Sequence, residues 1–154
     1  MPSSDFARVL VVANRTAATP ALLAAVRERA ARGPARFTLL VPALAHGLHR
    51  VVDPEDTDAT ESQQVLDLAI PLLEEASGGP VEGIVGDPNP FNAVQDAVNL
   101  HGFDEIIVST LSPRVSRWLK ADLPHRLEVL GLPLTTVTAK GSAEANEWAT
   151  AGSA

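Results

Sequence analysis

The chain contains no cysteine, which excludes disulfides, cysteine-ligated zinc or iron–sulfur sites and cysteine nucleophiles. No apolar run approaches the roughly 18 residues that a membrane span needs. Met1-Pro-Ser-Ser-Asp5 is not a basic region leading into an apolar stretch, so no signal peptide is expected. Lysine is scarce, with 2 residues against 10 arginines; that bias carries no functional weight. Basic residues of either kind are missing between Val51 and Pro113, a stretch that holds 13 acidic residues. With a net charge of −7, the balance speaks against nucleic acid or an anionic membrane as a partner. The composition fits a cytoplasmic protein.

What is present is a core. Apolar residues make up 45% of 154, enough for one domain and too few for two. Arg8 to Ala13, Phe37 to Val41 and Glu105 to Val108 read as buried strands, Val81 to Val85 as a weaker one and Leu134 to Thr138 as a fifth. Helices fit between them. Thr19-Pro20 and Asn89-Pro90 each supply an N-cap and a proline at the first helical position. Thr60 with Gln63 reads as a capping box for a helix ending at Gly78-Gly79 and kinked at Pro71. Ser112-Pro113 opens another helix, and Asp122-Leu-Pro124 breaks it and caps a short successor. Strict alternation of strand and helix implies a parallel sheet covered on both faces. We therefore expect a single α/β domain over residues 1–139, with 140–154 a disordered tail.

In such a sheet ligands bind beyond the carboxyl ends of the strands, where the winding reverses. The loops at that rim are Asn14 to Ala18, Pro42 to Asp58, Gly86 to Asn89 and Ser109 to Arg117. Asn14 suits an adenine edge or a ribose, though an Asn that simply caps the turn is the commoner case, and Arg15 suits either a phosphate or solvent. Gly86-Asp87 lets backbone approach a ligand, and is equally an ordinary strand-to-helix turn. The fourth loop says most. Ser109, Thr110 and Ser112 place three hydroxyls past a strand at a helix start, where unpaired N–H groups favour anions. Arg114, Ser116, Arg117 and Lys120 follow within two turns, in the one cationic segment after residue 50. Helix capping with solvated arginines explains the same residues about as well.

Other groupings are weaker. His46 and His49 with Asp53, Glu55, Asp56 and Asp58 lie in a loop without metal-site spacing and read as a surface lid. His101 sits in a last helical turn, where its cation suits the dipole. Trp118 reads as packing. No Gly-x-Ser-x-Gly elbow is present, which disfavours a serine hydrolase.

Val9 to Thr16, Gly86-Asp-Pro88 and Ile106 to Val137, in that order, resemble the universal stress protein family over roughly residues 6 to 139. The resemblance implies a Rossmann-like five-stranded parallel sheet of order 3-2-1-4-5 and a homodimer formed through the last strand, here Leu134 to Thr138. Members that bind ATP carry Gly-x2-Gly-x9-Gly-Ser/Thr after the fourth strand. Laid here without gaps, its glycines fall on Ser109, Ser112 and Asp122 and its hydroxyl on Leu123; the acidic residue of the first turn is Asn14. The chain thus resembles a divergent member without the glycine ATP motif. The implied function is a non-catalytic stress-response module, with a nucleotide (ATP or AMP) or phosphate-type anion held by Asn14, Arg15, Thr16, Gly86, Asp87, Ser109, Thr110, Ser112, Arg114, Ser116 and Arg117. No metal site and no catalytic residue are assigned. Two alternatives are a ligand-free homodimeric interaction module and a nucleotide-dependent phosphoryl or nucleotidyl transferase or hydrolase.

Overall fold

The computed structural model describes residues 6–14, 16–43, 57–110, 118 and 122–138, and of 57–60 the helical backbone alone. The lid at 43–58, apart from its two ends, the Ser112-Pro113 helix start and the tail at 140–154 lie outside them. Five strands, β1 (Ala7–Val12), β2 (Ala35–Pro42), β3 (Val81–Gly86), β4 (Glu105–Thr110) and β5 (Leu134–Thr138), form one sheet of order β3-β2-β1-β4-β5. Every neighbouring pair is parallel. Between them run α1 (Pro20–Arg32), α2 (Thr57–Ser77) and α3 (Pro90–His101), and α4 (Leu123–Leu127) with a 3-10 turn precedes β5.

Strands β1, β2 and β4 are buried on both faces over most of their length. Alternate residues of β1 enter different cores. Val9 and Val11 pack with Leu22 and Val26 of α1 and Leu66 and Leu73 of α2. Leu10 and Val12 pack with Ala93, Val94 and Ala97 of α3 and Leu123 and Leu127 of α4. Each fully buried leucine of this kind contributes roughly 1.5–3 kcal/mol. The central strands β1 and β4 are thereby fixed in depth and register, with Val12 opposite Val108.

Local signals end the helices as expected at several points. Asn89 Oδ1 accepts from the Asn92 amide at 3.1 Å, a true N-cap. Gly78 (φ +81°) and Gly102 (φ +75°) take left-handed backbone past α2 and α3. Three expectations need correction. α2 begins at Thr57, so Thr60 lies inside the helix; Gln63 Nε2 donates forward to Asp67 Oδ1 at 2.9 Å, one helical turn on, rather than closing a capping box. Thr19 and Asp122 hold N-cap positions without a side-chain cap. Thr19 Oγ1 instead donates to Thr16 O at 2.9 Å. Finally, β4 does not stop at Val108. Ser109 and Thr110 extend it, pairing with Val137 and Thr138, because β5 offers a ladder for two residues more.

Candidate functional site

Strand order reverses direction of growth between β1 and β4, so the switch point lies at their carboxyl ends. Two tight turns leave β1 there: Ala17 N donates to Asn14 O at 3.1 Å and Thr19 N to Thr16 O at 3.2 Å. They fold Thr16 back over the end of β4. Ser109 Oγ donates to Thr16 Oγ1 at 2.8 Å, and Thr16 Oγ1 donates to Ser109 O at 3.2 Å. Both residues are buried. This hydroxyl pair spans 93 residues of sequence and ties the first loop to the fourth strand.

Thr110, the next residue, faces the opposite side of the sheet. Its Oγ1 is buried and has no hydrogen-bond partner among the described residues. A buried hydroxyl in that condition costs about 1–3 kcal/mol, so it is a poised donor and acceptor. The site is therefore built from neutral hydroxyls where sequence reasoning placed a loop. The strand position was the missed feature, and the β-branched Thr110 was its signal.

The remaining expected residues divide three ways. Asn14 lies at the same rim, half-buried and engaged in the turn. Gly86 and Asp87 end β3, separated from β1 by β2, so roughly two strand spacings or 10 Å away. A Cβ on Gly86 would lie 2.8 Å from Leu40 Cδ1 and 2.9 Å from Ala93 Cβ. Helix α3 fills the space that the glycine leaves open, which gives Gly86 a packing role. Asp87 Oδ1 accepts from the Asn89 amide at 2.8 Å and shapes the turn into α3. These two residues also line a hollow of about 240 Å³ between β3 and α3, floored by Leu40, Ile84 and Ala97. Arg15, Ser112, Arg114, Ser116 and Arg117 lie outside the described residues.

Asp122 is the one described residue other than glycine with positive φ, at +59°. It stands where the third glycine of the ATP-binders' pattern would fall. Left-handed backbone is open to aspartate at modest cost and natural for glycine. The residue type departs from that pattern while a glycine-like conformation is kept. Trp118 is half-buried and packs against the α3–α4 core, as expected, and His101 ends α3 with its ring edge-on to Phe103, the centroids 6.4 Å apart. Among the described residues no group of three His, Asp or Glu could hold a metal ion, and no helix is long and apolar enough to cross a membrane.

Sequence reasoning also missed a bidentate ion pair. Arg29 Nε and Nη2 each lie 2.9 Å from a Glu105 oxygen, joining the last turn of α1 to the start of β4. Glu105 raises the Arg29 pKa above its ordinary value, first by hydrogen bonding and then by charge, against an opposing effect of burial.

The architecture, order and switch point define a doubly wound, Rossmann-like α/β protein. Comparison with solved structures narrows the class to the universal stress protein fold. The universal stress protein from Archaeoglobus fulgidus superposes with a TM-score of 0.61 at 13% identity, over 86% of this chain and 93% of that one. A structure of the Archaeoglobus fulgidus universal stress protein in complex with dAMP gives 0.61 at 13% identity, over 87% and 99%. A universal stress protein family protein from Arabidopsis thaliana with AMP bound gives 0.60 at 15%, over 90% and 94%. No protein-family model and no curated protein matches the chain in sequence.

Proposed function

We propose that this chain is a divergent member of the universal stress protein family and acts as a cytoplasmic, non-catalytic regulatory module. It binds an adenine nucleotide or another phosphate-type anion at the carboxyl ends of β1 and β4. The observation that carries this reading is the unpartnered Thr110 hydroxyl, on the other face of β4 from the Thr16–Ser109 pair, at the same carboxyl rim. Structures of the same fold hold dAMP and AMP, both monophosphates. Asn14 would face the base or ribose, and Arg15, Ser109, Thr110, Ser112, Arg114, Ser116 and Arg117 the phosphate. Asp122 would repel a polyphosphate, so AMP is the favoured nucleotide over ATP.

The test is a thermal-shift series on the full chain with AMP, ATP, cyclic AMP and inorganic phosphate. At a hundredfold excess over Kd, binding adds about 2.7 kcal/mol of stability. AMP is expected to give the largest rise in Tm, and Arg117→Ala to reduce it. No rise with any of the four would overturn the reading.

A homodimer through β5 is a second element of the proposal. It is supported by the position of β5 at the sheet edge, with one side of its backbone unpaired among the described residues. Light scattering should give twice the chain mass, and proline placed at Thr136 should lower it.

A further inference from the structure

The opposite rim carries a second constellation, independent of the switch point. Arg8 of β1 and Arg36 of β2 are direct register partners. Side chains alternate along a strand, so both project on the α3 side of the sheet, as Leu10 and Leu40 do farther along. Like charges placed opposite each other destabilise a sheet. Neither guanidinium forms an ion pair among the described residues. Each is instead held by a ring. Arg36 Cζ lies 4.5 Å from the centroid of Phe6, and Arg8 Cζ 5.4 Å from that of Phe103. Arg8 Nη1 also donates to His101 O at 2.6 Å. Two cations are thus carried on neighbouring strands, the Arg8 head held at Phe103 and the Arg36 head at Phe6.

They border a hollow of about 310 Å³, lined also by Phe6, Thr38, Pro80 and Glu82. Thr38 is buried in its floor. Glu82 sits across from the arginines on the edge strand β3.

We propose that this hollow binds a small phosphomonoester. Two guanidinium forks on strands about 4.8 Å apart approach from two directions. A planar carboxylate satisfies one such fork, whereas a tetrahedral phosphate offers oxygens to both. The Glu82 carboxylate repels a second anionic group and accepts a hydroxyl from the ester's organic part. The ligand class is therefore a single phosphate on a hydroxyl-bearing carbon skeleton.

The test is a proton–nitrogen NMR titration of the full chain with glycerol 3-phosphate at low ionic strength, against inorganic phosphate and matched sodium chloride. Saturable shifts are expected at the amides of residues 6–8, 36–38 and 81–82. Glycerol 3-phosphate binding more tightly than phosphate assigns the site to the ester; equal affinity for the ester and free phosphate overturns that assignment. Arg36→Gln should weaken binding roughly tenfold or more, as loss of a charge-assisted contact does. Glu82→Gln should tighten it for inorganic phosphate, a gain that no loss of folding can mimic. Ser109→Ala, at the other rim, should leave this titration unchanged. Shifts reproduced by chloride, confined to residues of the other rim, or unaltered in Arg36→Gln would overturn the proposal.

Discussion

The two rims of the sheet handle polar groups differently. The amino rim uses charge: Arg29 grips Glu105 with two bonds, and Asp104 Oδ2 accepts from the Arg8 amide at 2.8 Å while Arg8 O accepts from the Asp104 amide at 2.8 Å. The carboxyl rim at the switch point uses neutral hydroxyls, Thr16, Ser109 and Thr110, one of them unpartnered. Hydrogen bonds to ions contribute roughly twice what neutral ones do. The amino ends of β1 and β4 are therefore clamped, and the carboxyl ends are joined weakly enough for an incoming anion to compete for their donors.

That contrast can be broken most severely at the clamp. Arg29→Met leaves Glu105 largely buried without its partner and should cost about 2–3 kcal/mol, toward the low end for buried pairs because both side chains keep some solvent contact. In a domain of this size the corresponding fall in Tm is about 4–10 °C. The pH dependence has a definite sign. Arg29 has a raised pKa when folded, so its contribution is fully present below its ordinary value and is lost only as pH climbs through the folded one. Calorimetric scans from neutral to moderately alkaline pH should keep the wild type to variant gap constant.

At the other rim the effect is smaller. Thr16→Val removes the acceptor of Ser109 Oγ and the donor to Ser109 O, and should cost about 1–2 kcal/mol in urea unfolding with an unchanged m value. The smallest effect is expected at Asp122. Glycine there releases a left-handed strain and gains flexibility in the unfolded chain, and the two nearly cancel, for a net gain near 0.5 kcal/mol. Asp122→Ala should lose stability, and the order Gly above Asp above Ala in Tm checks the backbone assignment.

Much of this contrast was legible in the residues. Alternating apolar runs and Pro- or Gly-marked helix ends placed all five strands, and β5 matched residue for residue. The shared rim of Asn14, Thr16 and Ser109 followed from topology alone. What was not legible depends on tertiary partners. The end of β4 was set by the ladder that β5 offers, and no local pattern distinguishes Ser109 in a strand from Ser109 in a loop. The Arg29–Glu105 pair joins residues 76 apart, and each alone reads as an ordinary surface charge. Gly86 read as room for a ligand because the approach of Ala93 is a property of helix packing. The register that sets Arg8 against Arg36 is likewise invisible until β1 and β2 are paired.

The most direct measurement is the melting of Thr110→Val with and without AMP. If the buried hydroxyl waits for a ligand, the variant sheds an unsatisfied polar group and melts a few degrees above the wild type in buffer, by about 1 kcal/mol of stability. It should then gain clearly less from AMP than the wild type does. A variant that melts lower in buffer and keeps the full AMP increment would contradict the account.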